Sequence, residues 1–296
     1  MAPRPLTAAN RAFRSDFYAR WGKENAVVLG CAQRAEFAPF TQSLSVKRSW
    51  GGPEDSVTDC RRLRVDDAHF LVLNAGQTYG AVIQSPTPVH SLAVFFRPGM
   101  AEEYTVSQRL TLPQALAAEA TVTRPHTEFS EHLRPRDPGV DACLLHIRNA
   151  VAAGQTDTWW LEEQLQNLLQ AMHRSEQRWA QRALALQTSS RSNHLELQKR
   201  VDMATDYLLS HACDAIDLDQ LAKTARLSKY HLVRVFQTVH GNTPFEFLAQ
   251  TRMRRASQLI AAGQHTLDQV AHLCGLGTRF TLYRQLQKRR PARQTR

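Results

Sequence analysis

The sequence predicts an α+β chain, with a strand-rich first half, a helical middle, and an all-α C-terminal third built from a duplicated unit. Three observations carry this. Apolar, β-branched runs closed by glycine turns occupy much of residues 35–123. From Val140 the apolar spacing becomes that of a helix. Near the C-terminus, two stretches repeat one another 49 residues apart.

The strand signals are clearest in FLVLNAG (Phe70–Gly76) and HSLAVFFRPG (His90–Gly99), and SPTP (Ser85–Pro88) is expected to interrupt the strand pairing. Alternate residues of Phe70–Leu73 and Leu92–Phe96 are expected to line an apolar pocket for a small molecule. Beyond ACLLHIRNAVAAG, a long amphipathic helix carries Leu161, Leu165, Leu168 and Met172 on one stripe. TSSRSNH (Thr188–His194) is small and polar and reads as a linker. The division is therefore 1–187, a linker at 188–194, and 195–296.

In the repeat, Leu218, Asp219, Gln220, Ala222 and Leu227 recur as Leu267, Asp268, Gln269, Ala271 and Leu276. Past one extra turn residue, Leu232, Arg234 and Phe236 align with Leu282, Arg284 and Leu286. Each copy has the grammar of a helix-turn-helix. Asp217 and Thr266 are N-caps followed three residues later by Gln, a capping-box arrangement. Ser228 caps the second helix of the first copy, in which Leu232, Val235, Phe236 and Val239 form a buried stripe. The opposite face holds Lys229, Tyr230, Val233, Arg234 and Gln237, a set able to enter a DNA major groove. There Val233 can meet a thymine methyl and Arg234 can pair with guanine O6 and N7. Taken singly, Tyr230 could instead pack on the first helix and Gln237 could simply face solvent.

Between the copies, Thr243-Pro244-Phe245-Glu246 opens a helix that Gly263 closes. Its 19 residues at about 1.5 Å each make a spacer of roughly 28 Å, suited to recognition helices in successive grooves about 34 Å apart. Arg252, Arg254 and Arg255 on it are read as phosphate contacts or as solubilising charges.

Charge agrees with this placement. Residues 195–296 hold 16 Lys and Arg against 8 Asp and Glu, whereas the rest of the chain holds 21 against 19. The positive field belongs to the C-terminal third, as a polyanion-facing domain requires. At 43% hydrophobic the chain can bury a full core, yet no apolar run approaches membrane-spanning length and no secretory signal opens it. Five scattered cysteines (Cys31, Cys60, Cys143, Cys213 and Cys274) suggest neither a disulfide framework nor a zinc knuckle, and a cytoplasmic home is expected.

Leu221–Ile260 resembles the AraC/XylS transcription regulators. The residues that carry the resemblance are Ala225, Leu227, Ser228, Leu232, Arg234, Phe236, Gly241, Thr243, Pro244, Leu248, Arg252 and Ala256. The resemblance implies a seven-helix domain of two helix-turn-helix subdomains joined by a long helix. It puts base contacts at Tyr230, Val233 and Arg234 in the first unit. In the second it puts them at Phe280, Thr281 and Arg284, with Arg279 as a neighbour. More loosely, Arg64–Glu103 with Trp160–Leu169 resembles the cupin-like β-barrel sensor and dimerisation half of some such regulators. The second unit departs from the family pattern: Leu276, Leu282 and Leu286 replace Phe, Phe280 occupies a small polar position, and the chain ends KRRPARQTR.

The reading that results is a sequence-specific transcription regulator, an activator responding to a small molecule, cytoplasmic and nucleoid-associated. Its expected partners are double-stranded DNA across two successive major grooves, a second copy bound through the N-terminal half, and RNA polymerase; no membrane, cofactor, metal or catalytic residue is expected. Two alternatives stand beside it: a non-specific architectural DNA binder, and a metal-dependent cupin enzyme fused to a DNA-binding domain. For the enzyme the candidate ligands are His69, His90, His126 and His132, whose spacing reproduces no metal-binding motif.

Overall fold

The computed structural model describes residues 23–58, 61–108, 127–183 and 191–289. The chain divides into two compact units, Met1–Arg178 and Trp179–Arg296.

The first unit is an antiparallel sheet curled into a half-barrel. Its strands are β1 (Ala26–Thr41), β2 (Ser45–Trp50), β3 (Glu54–Val57), β4 (Arg62–Val65), β5 (His69–Leu73), β6 (Thr78–Phe95) and β7 (Arg134–Pro135). They are ordered β4-β3-β6-β2-β5-β7, with β1 on the other edge of β6. The helices of this unit are α1 (Met100–Ser107), α2 (Pro138–Ala152) and α3 (Thr158–Ala183) as far as Arg178; its last turn, from Trp179, is counted with the second unit.

Ser85–Pro88 does not interrupt the pairing as expected. It is a bulge inside an 18-residue strand. Opposite it, the register of β1 jumps from Ala32↔Val89 to Arg34↔Gln84. On the other side of β6, β2 and β3 pair with its two halves in succession and break at Gly51–Pro53, beside the same bulge. Gly51 sits there at φ 78°, where a side chain would meet the Pro88 carbonyl oxygen at 2.9 Å, and Thr87 Oγ1 donates to the Gly51 carbonyl at 3.0 Å. Bulges aligned across neighbouring strands re-aim them together, and that is how a sheet turns a corner.

The residues expected to line a pocket divide between the two faces, as strand alternation demands. Phe70, Val72, Leu92, Val94 and Phe96 do not line a cavity. They pack with Val140, Leu144 and Ile147 of α2 and Leu165, Leu168 and Met172 of α3 in one core. The intervening Leu71, Leu73 and Phe95 are buried on the opposite face. That face also carries a buried Lys47–Glu54 ion pair at 3.0 Å, with the Lys47 ammonium 4.2 Å from the centre of the Tyr79 ring. Asp137 caps α2, its carboxylate accepting from the Gly139 and Val140 amides, and Pro138 follows at the first helical position. Arg178 of α3 pairs with the same carboxylate. Burial works against ionisation of Asp137, but the Arg178 hydrogen bond and the two amides outweigh it and hold its pKa below the ordinary value.

Of the histidines considered for metal, His69 is buried with Nδ1 2.6 Å from Asp66 Oδ1, and His132 is buried. His90 is exposed beside Cys31. His126, like Cys60, lies outside the described residues. Among the described residues no three His, Cys, Asp or Glu side chains converge as metal ligands, and no helix is long and apolar enough to cross a membrane.

The second unit is all-α: α4 (Arg191–Ser210), α5 (Leu218–Thr224), α6 (Lys229–His240), α7 (Pro244–Ala262), α8 (Leu267–Leu273) and α9 (Arg279–Arg289). Residues 191–194, expected to end a linker, are the first turn of α4; 188–190 lie outside the described residues. Among the described residues six of the seven implied helices are present, and residues beyond Arg289 lie outside the described set.

Candidate nucleic-acid interface

Two helix pairs, α5–α6 and α8–α9, are built on the same local chemistry. Asp217 Oδ1 accepts from the Gln220 amide at 2.7 Å to start α5. Thr266 and Gln269 form a full reciprocal capping box at the start of α8. The turns match as well. Leu227 N donates to the Ala222 carbonyl and Leu276 N to the Ala271 carbonyl, and the residue before each lies in the left-handed region. That residue is Arg226 (φ 52°) in the first turn and Gly275 (φ 65°) in the second.

Glycine is required at 275 for a second reason: a Cβ there would meet the Cys213 carbonyl oxygen at 2.5 Å. Gly275→Ala is therefore expected to destabilise the second pair by roughly 1–3 kcal/mol, combining left-handed strain with a backbone clash. Thermal unfolding of the full chain, followed by amide exchange in α8 and α9, checks this. An unchanged exchange pattern would show that the Cys213 segment yields freely.

The recognition helices α6 and α9 are held unequally. Ser228 Oγ accepts from the His231 amide to start α6, and Leu232, Val235, Phe236 and Val239 are all buried. The core around α6 includes Trp179, Val201, Ala204 and Leu208, together with Leu221 and Ala222 of α5, Ala225 at its end, and Leu248 of α7. The cap of α9 is Thr278, which the sequence reading did not single out; its Oγ1 accepts from the Thr281 amide at 3.3 Å. Of α9, Leu282 is fully buried in a smaller core of Met253, Ala256, Val270, Ala271 and Cys274, with Leu276 and Leu286 packed against it. The Leu replacements of the second unit thus keep its apolar contacts. Burial in the same core pushes the Cys274 thiol up to about 11.

Between the two pairs, α7 runs from the Thr243–Glu246 capping box to Gly263 at φ 68°, the expected 19 residues. It feeds Leu248 to the first core and Met253 and Ala256 to the second. Its arginines are not equivalent. The Arg252 guanidinium donates to the Ala212 and Asp214 carbonyls, both at 2.6 Å, and closes the segment after α4. Arg255 lies 3.1 Å from Cys213 Sγ, and Arg254 is exposed.

Of the predicted contact residues, Lys229, Tyr230, Arg234 and Gln237 are exposed on α6, and Val233 is half-buried among them. Tyr230 is 79% exposed, which rules out its packing on α5. On α9, Arg279, Phe280 and Arg284 are exposed and Thr281 is half-buried, its hydroxyl 3.1 Å from Thr278 Oγ1. Tyr283, not anticipated from the sequence, adds a second exposed aromatic to α9.

Two capped helix pairs on a shared helix, each exposing one face of its second member, define a helix-turn-helix domain. Residues 221–290 match the family model described as a helix-turn-helix domain. Over 93 residues the chain is 29% identical to the HTH-type transcriptional activator Btr of Bacillus subtilis (strain 168), covering 31% of this chain and 18% of that one. Over 91 residues it is 31% identical to the probable transcriptional regulator LumQ of Photobacterium leiognathi, covering 30% of this chain and 37% of the other. Among solved structures, the DNA-binding domain of AdpA in complex with a target DNA is 23% identical, with a TM-score of 0.30; the match covers 31% of this chain and 82% of that one. The chain thus spans less than two fifths of the length of either curated relative.

Proposed function

We propose that the chain is a sequence-specific, DNA-binding transcription regulator that presents α6 and α9 to successive major grooves of one duplex. The observation that carries this reading is the duplicated geometry: each recognition helix is capped, buried along one stripe, and exposes a basic residue, an aromatic and an arginine at matching positions. An architectural binder would share the positive field but has no need of two such faces. Selection of duplexes from a random pool by the full-length chain tests this. Enrichment of a site bound at least about 10³-fold tighter than random DNA is the expected result; no enrichment would favour the architectural reading.

Within this proposal the first helix pair, α5–α6, dominates base choice. Arg234→Ala is expected to cost about 1–3 kcal/mol of affinity and to relax preference at one base pair. Arg284→Ala, on the less deeply seated α9, is expected to cost less and to reduce salt dependence with little change in preferred sequence. Binding of both variants to a base-substituted series of the selected duplex, at two salt concentrations, decides between them. Equal shifts in base preference would remove the asymmetry.

The N-terminal half-barrel is assigned to sensing a small molecule and to pairing two copies, and the regulator to activation through RNA polymerase in the cytoplasm, at the nucleoid. Neither a catalytic role nor a cofactor is assigned to it. Division ahead of α4 leaves that helix and the residues after it as the DNA-reading part. Joined to a second copy, that part should bind more tightly than alone, because linkage raises the local concentration of the second site.

A further inference from the structure

Each helix-turn-helix pair carries an ion pair across its turn, from the first helix to the start of the recognition helix. In the first, Lys229 Nζ lies 2.7 Å from Asp219 Oδ1; in the second, an Arg279 guanidinium nitrogen lies 3.8 Å from Asp268 Oδ2. The two acids are equivalent in the repeat, and so are the two bases, although one base is Lys and the other Arg and the second turn is one residue longer. The acids are not needed as helix caps, because Asp217 caps α5 and the Thr266–Gln269 box caps α8. All four side chains are more than half exposed.

Exposed pairs of this kind contribute little to folding, so their recurrence calls for another reason. Lys229 and Arg279 each open a recognition helix, where the positive end of the helix dipole already attracts anions. A free cation there would attract any DNA phosphate, whatever the sequence, and phosphate contacts supply essentially all of non-specific binding.

We propose that Asp219 and Asp268 are specificity-determining residues that hold the leading cation of each recognition helix away from phosphate and so suppress binding to non-cognate DNA. On random sequence, phosphate must compete with a carboxylate already paired to the cation, and that carboxylate also repels the DNA backbone. On the cognate site, base contacts along the helix hold it in the groove without this cation, which stays paired with its acid. The acids therefore lower affinity most on random DNA, where phosphate contacts supply the attraction, and least on the cognate site, where the pair remains closed.

The inference rests on the DNA-binding reading above. Full-length wild type, Asp219→Asn, Asp268→Asn and the double variant would be titrated with a random-sequence 30-base-pair duplex and with the selected duplex, over a range of salt. Asp219→Asn is expected to tighten binding to the random duplex about 3–10-fold at low salt, with the logarithmic salt slope steeper by about one for the phosphate gained. Its affinity for the selected duplex should rise less, so the selectivity ratio falls. Asp268→Asn, from the longer pair, should show a smaller change. Adding Lys229→Gln to Asp219→Asn should cancel the gain, whereas adding the exposed Lys199→Gln should not, although both double variants restore the wild-type net charge. Unchanged affinity for random DNA, or weaker binding accompanied by a lower melting temperature, would overturn the proposal and leave the pairs as braces between helices. Failure of the wild type to select any site would instead sink the DNA-binding reading itself.

Discussion

Phe236→Ala is expected to destabilise the second unit by about 3–5 kcal/mol, enough to unfold its first helix pair under mild conditions. The ring is fully buried. It meets Phe247 edge-on at 5.6 Å and His240 at 4.3 Å, so α6 and α7 are held to each other through it. Truncation removes the apolar surface and also leaves a cavity, since Leu232, Val235 and Leu248 are fixed by α5, α6 and α7 and cannot all collapse inward. Because Arg234 and Tyr230 stand on the same helix, DNA binding should fall with stability. Urea denaturation and duplex binding measured on the same samples check this; a loss below about 1 kcal/mol would mean that the core repacks around the gap.

The second large effect is expected at Asp141→Ala, in the half-barrel unit. Arg48 of β2 is buried against α2, where it pairs with Asp141, and it donates to the Asp67 carbonyl at 2.9 Å. Burial already lowers the Arg48 pKa to about 10. Arg136 contacts the same carboxylate at 2.6 Å and, as a second cation, repels Arg48, so the loss of Asp141 leaves Arg48 with no counter-charge from that side. Removing the acid strands a buried guanidinium and is expected to cost about 3–5 kcal/mol. Replacing both partners with apolar residues, as in Arg48→Met with Asp141→Leu, should recover most of that loss. Denaturation of the single and double variants measures the difference. A double variant no better than the single would show that the pair itself, and not the stranded charge, stabilises the packing of β2 on α2.

Much of the DNA-reading domain was legible because its signals are local. Thr243, Pro244 and Glu246 set the start of α7 and Gly263 its end, since caps act within one turn of the chain. The buried stripe of α6 followed from apolar spacing alone. Repetition then turned individually weak signals into a pattern, and the exposed face of α6 is the one expected.

What the sequence did not reveal depends on groups distant along the chain. Ser85–Pro88 reads locally as a break, yet β1 on one side and Gly51 on the other supply partners that make it the corner of a continuous sheet. The alternate residues expected to line a pocket are instead covered by α2 and α3, because alternation fixes which residues share a face but not what packs on it. Arg252 reads as one more basic residue on a helix, and only the fold brings it to carbonyls some forty residues away. Asp219 and Asp268 were visible as repeated acids, but their pairing with Lys229 and Arg279 depends on the turn between the helices. By itself, then, the sequence determined the helices, most of their caps, the duplication and the exposed face of α6, through interactions reaching no more than a turn or two. The tertiary structure decided the bend of the sheet, the occupant of its apolar face and the partner of each buried or bridging charge, because those energies arise only when distant segments meet and exclude water together.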